Sequence, residues 1–528
     1  MVTMGKKFLL LAGFLLVQAG LSPPSLWPQE APPQTYIIGD PQGDWGFPSP
    51  MSHNPRGPGY LRVSFLFDTL IWKDAHGFVP ALARRWEYRP APPTYTFHLH
   101  PSAVWHDGKP LTASDVAFTI DYLKRHPHPW VDVRPIRQVE VAGPHTVRLV
   151  LDRPYAPFLE EIAGTMFILP RHIWQDIQDP ARFQEPRATV GSGPYKLAEY
   201  RRELGLYRFV AFEQYYRGKP VVPELSFVHV GNELLALKGK AVQAAAIPPE
   251  AASELKALGF TVASQPHFWC LKLLFNHGRF PMQELAFRRA VARAVDLRDL
   301  VSQTVRGHGL PASPGLLPPD SPWYHPPATQ YLFDPRASRE LLASLGYRPT
   351  PEGWERHGQT LDLELLTVPG YARVAEYLKK SLQEIGLRVR LRQVDYTVLD
   401  QRVKAQNFDL ALSGHGGLGG DPKIINDVVA GPFAAEFLGG YRLPPELARL
   451  LTDQLLTLDV AQRRQLVARI QEWLARELPT LPLYFPTQYI AHDGRVPWFF
   501  THGGIAKGIP LYFNKLALLP PGNSLSSP

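Results

Sequence analysis

The sequence predicts an α/β protein built from more than one domain. Residues 361–394 read as strand, helix, strand: LDLELLTV is a strand, ARVAEYLKKSLQEIG is an amphipathic helix with Val374, Leu378, Leu382 and Ile385 on one stripe and Gly386 at its end, and LRVRLRQV alternates as a strand. Phe408, Leu410 and Leu412 then form a short apolar run that empties into a loop with five glycines, Gly414, Gly416, Gly417, Gly419 and Gly420, whose only titratable groups are His415 and Asp421. A length of 528 residues, 45% hydrophobic and 20% charged, allows two or three domains with sizeable cores. In open α/β sheets ligands sit beyond the carboxyl ends of the strands, and glycine lets backbone approach a ligand with no Cβ between them. The glycine loop is therefore a candidate binding loop, and a surface turn made by Asp421 and Pro422 is the alternative.

At the amino end, Lys6 and Lys7, the apolar run FLLLAGFLLVQAGL and the small-residue site Val17-Gln18-Ala19 have the pattern of a secretory signal, with cleavage expected after Ala19. The run is broken by Gly13 and Gln18 and is shorter than the roughly 20 residues that cross a bilayer. Cys270 is the only cysteine, so no thiol follows the signal to take a lipid, no internal disulfide is possible, and export implies a free protein in a periplasmic space. Beside Trp269 and Leu271, Cys270 reads as a small buried hydrophobe. Without Lys6 and Lys7 the formal charge of +8 falls by two, and no basic run stands out, which argues against nucleic acid. Arginine exceeds lysine and proline (55) exceeds glycine (41), a composition that fits either a thermophile or GC-rich coding.

Residues 20–34 are proline-rich and read as a linker to a first strand at 35–38. Trp45 and Phe47 follow on a turn-rich loop, either to stack on a ligand or to plug a core. Residues 95–100 alternate as a strand, Asp107-Gly108 is a turn, and Ser114, or Thr112, caps a helix whose apolar face is Val116, Ile120 and Leu123. VEVAGPHTVRLVL is a hairpin turning at Gly143-Pro144. Asp334 and Pro335 start a helix that closes at Gly346, and residues 444–476 read as two helices, the second with Leu466, Ile470 and Leu474 inward.

Several of these segments together carry a resemblance. Pro80, Leu82-Ala83, Trp86, Trp105, His106-Asp107-Gly108, Leu111-Thr112-Ala113 and Asp115-Val116 are similar to the signature of the extracellular solute-binding proteins of ABC transporters, family 5, the dipeptide- and oligopeptide-binding group. Gly191-Ser192-Gly193-Pro194-Tyr195, Phe275-Asn276, Arg288-Arg289-Ala290-Val291 and Glu477 to Tyr484 continue it, from about residue 35 to about residue 515. The resemblance implies a two-lobed periplasmic-binding-protein fold of type II with an extra inserted domain. Lobe one is expected at 35–58, 190–265 and 488–528, the inserted domain at 59–189, and lobe two at 266–487, with crossings near 265 and 487 that act as a hinge.

The expected role is capture of a peptide in the interlobe cleft and delivery to membrane permease subunits by a monomeric protein without a cofactor. The same fold holding an oligosaccharide is the first alternative, and a secreted hydrolase is the second. No nucleophile elbow, H-E-x-x-H or phosphate-cradling G-x-x-x-x-G-K-[ST] occurs, so catalytic residues are expected to be none. His98 and His100 share a strand face without a third ligand, so no metal site is expected either. The candidate ligand set is Asp421, His415, Trp45, Phe47, Trp269 and Tyr441, a few polar groups to orient a ligand and aromatic faces to bury it. In peptide-binding relatives an aspartate in this loop pairs with the peptide amino terminus, and Gly420-Asp421-Pro422 falls at that position. The loop 368–372 looks short where dipeptide-binding relatives place a cation for the carboxylate, which argues against strict dipeptide specificity. Asp421→Asn is accordingly expected to weaken peptide binding roughly 30-fold or more and to leave unfolding almost unchanged.

Overall fold

Tyr36 and Ile38 point into a core from the strand Thr35–Asp40, which lies parallel to Glu224–His229 on one side and Ala244–Ile247 on the other. Alternation of this kind makes it the middle of a sheet. The computed structural model describes residues 34–431, 434, 438–501 and 506–520; the signal expected at 1–19 and the linker through residue 33 lie outside the described residues. The sheet has seven strands in the order Thr261–Ser264, Tyr489–His492, Ala244–Ile247, Thr35–Asp40, Glu224–His229, Leu206–Ala211, Tyr195–Arg201.

A second, six-stranded sheet runs Gly309–Pro311, Thr480–Pro486, Cys270–Phe275, Leu410–His415, Asp362–Thr367, Arg388–Gln393. Every residue of Cys270–Phe275 is buried, as a strand covered on both faces must be. Asp362–Thr367 and Arg388–Gln393 are parallel and joined by the helix Ala372–Glu384, the βαβ unit expected from the hydrophobic spacing. Gly386 ends that helix at φ +90°, and a Cβ there would stand 3.0 Å from the Trp354 indole nitrogen, so both conformation and space call for glycine. Asp334 caps the helix Pro335–Ser344 by accepting the Ala337 N–H at 2.9 Å. Asp334→Ala is expected to cost about 1 kcal/mol, read as a lower midpoint in urea unfolding.

A four-stranded antiparallel sheet, Ala83–Pro90, Pro93–Leu99, Thr146–Leu151, Ile136–Gly143, packs with the helix Ala113–Arg125. Thr112 is the cap of that helix, in a reciprocal box with Asp115, and Val116, Ile120 and Leu123 face inward. Residues of this sheet share one continuous core with the seven-stranded sheet: Phe97, Val147 and Leu149 belong to the same cluster as Tyr36, Leu225 and Phe513. Lys515 ties the carboxyl-terminal segment into it. Its buried ammonium pairs with Asp68 at 2.5 Å and donates to the carbonyls of Ser64 and Phe67, the last turn of a helix.

The chain passes between the two large sheets twice, between Ser264 and Cys270 and between Pro486 and Tyr489. The two passages lie side by side: Gln265 N–H donates to Gln488 O at 2.9 Å, and His267 Nε2 is 3.1 Å from Thr487 Oγ1. Cys270 is buried, and burial pushes its thiol up to about 12.

Candidate functional site

Leu410 and Leu412 of the strand Leu410–His415 enter the main core of the six-stranded sheet, Ala411 enters the core on its other face, and the chain leaves the strand into the glycine loop. The glycines do permit close approach, but to protein. A Cβ on Gly414 would stand 2.6 Å from Trp269 Nε1, and one on Gly416 3.2 Å from the same indole. A Cβ on Gly420 would collide with Glu160 Oε1 and with the backbone of Gly508. The loop is thus packed from two directions, by the segment entering Cys270–Phe275 and by residues attached to the other large sheet.

Asp421 is 7% exposed and its carboxylate is occupied. Arg463 grips both oxygens, Nη1 to Oδ2 at 2.7 Å and Nη2 to Oδ1 at 2.5 Å, and the Lys423 N–H donates to Oδ1 at 2.8 Å. Three of about four lone-pair directions are therefore used inside the protein. Arg463 also donates to the backbone and side chain of Gln454 and lies over the Trp323 ring, so the pair fastens the loop to the helices Pro445–Leu456 and Val460–Glu477. Asp421 is expected from the sequence to be a free anion for a ligand ammonium; in the structure its carboxylate is already paired with Arg463.

Opposite the loop stands a single π-helical turn, Leu159–Ala163, carrying Glu160 and Glu161, both buried. Glu160 Oε1 accepts the Asp421 N–H at 2.7 Å and Oε2 accepts from Lys73 Nζ at 2.8 Å. Burial pushes the Glu160 carboxyl above the usual carboxylate range, and Lys73 pulls it back. Glu161 lies 3.6 Å from Lys423 Nζ and 3.3 Å from Lys507 Nζ; Asp427 takes the same two lysines at 2.7 and 3.5 Å. Burial alone lowers Lys507, but Glu161 and Asp427 outweigh it and hold the ammonium above the ordinary lysine value.

The other expected site residues divide. Trp269, half-buried, touches the glycine loop. His415 is 4% exposed, on the sheet face it shares with Lys272, and burial followed by the charge of Lys272 holds its imidazole well below the ordinary histidine value. Trp45 is buried, its indole N–H donating to Asp40 Oδ2 at 2.8 Å, and Phe47 packs against the core edge-on to Tyr200. Tyr441 packs edge-on against His277 and Trp473 at the opposite end of the six-stranded sheet, beside a surface cavity of about 570 Å³ that Gln283 and Arg442 also line. Six residues of strand separate it from the loop, roughly 17 Å.

Sequence reasoning missed Glu160, Glu161, Lys73, Lys423, Asp427, Arg463 and Lys507. Two signals were present. Arg463 sits at the amino end of the apolar stripe Val467, Ile470, Leu474, and a cation there needs a buried anion; Glu160-Glu161 interrupts the apolar stretch PFLEEIAGTMFIL. Among the described residues no group of three or more His, Cys, Asp or Glu is disposed to hold a metal ion, and no helix is long and apolar enough to cross a membrane.

Residues 77–433 match the family described as bacterial extracellular solute-binding proteins, family 5 Middle. The dipeptide-binding protein of Escherichia coli (strain K12) is 25% identical over 376 residues, 65% of this chain and 68% of its own. The probable di/tripeptide-binding protein 5 of Pseudomonas aeruginosa (strain UCBPP-PA14) is 26% identical over 442 residues, 78% of this chain and 82% of its own. Among solved structures, NikA from Brucella suis in complex with Fe(III)-EDTA superposes with a TM-score of 0.79 at 22% identity, over 92% of this chain and 99% of that one. The two-lobed fold expected from the sequence is therefore the fold of this chain. Matched over more than half of its length, the chain belongs to the bacterial extracellular solute-binding proteins, family 5.

Proposed function

We propose that the chain is the exported, monomeric substrate-binding component of an ABC importer, which captures peptides between its lobes in the periplasm and presents the closed, loaded form to a membrane permease. Lobe one comprises 35–58, 190–265 and 488–528, with 59–189 inserted in it and moving with it, and lobe two comprises 266–487. The observation that carries this reading is the pairing of the two interlobe connections, Gln265 to Gln488, together with a separate contact surface where the glycine loop of lobe two meets Glu160 and Gly508. Parallel connections and a second meeting surface are the parts of a hinged clamp.

The peptide class is supported by the relatives named for dipeptides and tripeptides. Trp269 and the adjacent Phe268, both half-buried beside the glycine loop, offer apolar faces that bury side chains of differing shape. No step of capture and release requires a catalytic group, and the ligand leaves unchanged. Native mass spectrometry of gently purified protein is expected to show short peptides, intact after incubation with the protein. A bound metal chelate, such as the one carried by the Brucella protein, or an oligosaccharide overturns the peptide class; cleaved peptides overturn binding without catalysis.

A further inference from the structure

We propose that Glu160 and Glu161 form a latch between the lobes that favours the closed form of this chain before any ligand arrives. The inference rests on the two-lobe reading above. The turn that carries the two carboxylates is fixed by the core rather than by its charges: Phe158, Ile162 and Ala163 are fully buried around it, and Gly164 N–H closes the wide turn on Leu159 O at 2.8 Å. From this fixed base Glu160 accepts a backbone N–H of lobe two, that of Asp421. Glu161, Lys423, Asp427 and Lys507 make a ring of alternating charge drawn from the insert, lobe two and the carboxyl-terminal segment. Ala156 N–H adds a backbone bond to Leu455 O at 2.8 Å.

Opening the lobes divides these charges without stranding any. Glu160 keeps Lys73, Glu161 keeps Lys507, Asp427 keeps Lys423, and Asp421 keeps Arg463. Each half is left neutral, so the latch releases without exposing a bare buried charge, whose cost would otherwise lock the protein shut. What closure gains is one charge-assisted hydrogen bond, the backbone bond from Ala156 to Leu455 and the second half of the ring, a modest bias that a ligand then adds to. Gly420 is part of the device, since any side chain there strikes Glu160 and Gly508 only when the lobes meet.

Pulsed electron resonance between spin labels at Leu235→Cys in lobe one and Leu332→Cys in lobe two tests this; both sites are well exposed, and Cys270 is buried from the label. The ligand-free parent is expected to show one compact population. Glu160→Gln with Glu161→Gln, which removes charge, and Gly420→Ala, which adds only bulk, are each expected to lower the closed-to-open ratio about tenfold. Coincident ligand-free distributions in the parent and both variants, whether compact or open, overturn the latch. An open ligand-free distribution that a saturating tripeptide mixture leaves unchanged, while calorimetry registers its binding, overturns the two-lobe reading itself.

Discussion

Asp421→Asn is expected to destabilise the ligand-free protein by about 3 kcal/mol or more, because it leaves the Arg463 guanidinium buried without its anion. Arg463 is 4% exposed and spends its remaining donors on Gln454, so it cannot swing to water without giving up the anchorage of the loop to two helices. Removing both charges is gentler than removing one, and Asp421→Asn with Arg463→Met is expected to lose less than the sum of the single changes. Urea unfolding of the four proteins measures this directly, and an unshifted midpoint in Asp421→Asn refutes it. Peptide affinity, measured where each variant is folded, is expected to fall less than about tenfold, since closure uses the backbone N–H of Asp421 and not its carboxylate. Both expectations reverse those drawn from the sequence, in which the residue was free in the site and idle in the fold.

The reversal shows which information a sequence carries along the chain and which it does not. The unit from Asp362 to Gln393 and the Asp334 cap were legible, and the Thr112 cap was legible to within two residues, Ser114 being the other candidate, because their physics is local: periodicity, a side-chain oxygen three residues from an orphan N–H, a glycine where φ must be positive. The glycine loop was legible as a place of close approach. What approaches it was not, because Glu160 and Gly508 lie hundreds of positions or nearly a hundred positions away and no local pattern joins them to Gly420. Tyr441 was misplaced for a related reason. Its distance from Asp421 along the chain is short, but the chain between them crosses from one end of the sheet to the other, as the contact of Gly439 with His277 at the far end of Cys270–Phe275 makes plain. Trp45 shows the limit of reading aromatics on loops: the acceptor that holds its buried indole, Asp40, is five residues away, yet only the turn geometry brings them together.

Stability is expected to fall steeply as pH drops from about 6.5 to about 4, through histidines that the fold holds neutral. His53, His106 and His492 are buried, and burial, the dominant cause in each, lowers all three to about 4. For two of them the hydrogen bonds make the same demand. His106 Nδ1 accepts the Gly191 N–H at 3.1 Å while Nε2 faces Gly193 O at 3.0 Å, and His492 Nδ1 accepts the Gly494 N–H at 3.2 Å. A proton on either Nδ1 removes the lone pair and sets two N–H groups against each other. The sign follows from linkage: folded values lie below the unfolded value near 6.5, so the unfolded chain takes up protons first as pH falls. The stabilisation is fully present above about pH 6.5 and is lost on the way to about 4, by roughly 3 kcal/mol for each fully buried histidine. Glu160 acts in the opposite sense, because its raised carboxyl favours the folded state at low pH and loses that contribution as pH rises, so it softens the acid limb without reversing it. Urea midpoints between pH 8 and pH 4 are expected to trace this decline. His106→Gln, whose amide can accept from Gly191 and donate to Gly193 with no titration, is expected to flatten it. A midpoint that stays level down to pH 5 in the parent protein, or an acid limb identical in His106→Gln, removes His106 as a source of the effect.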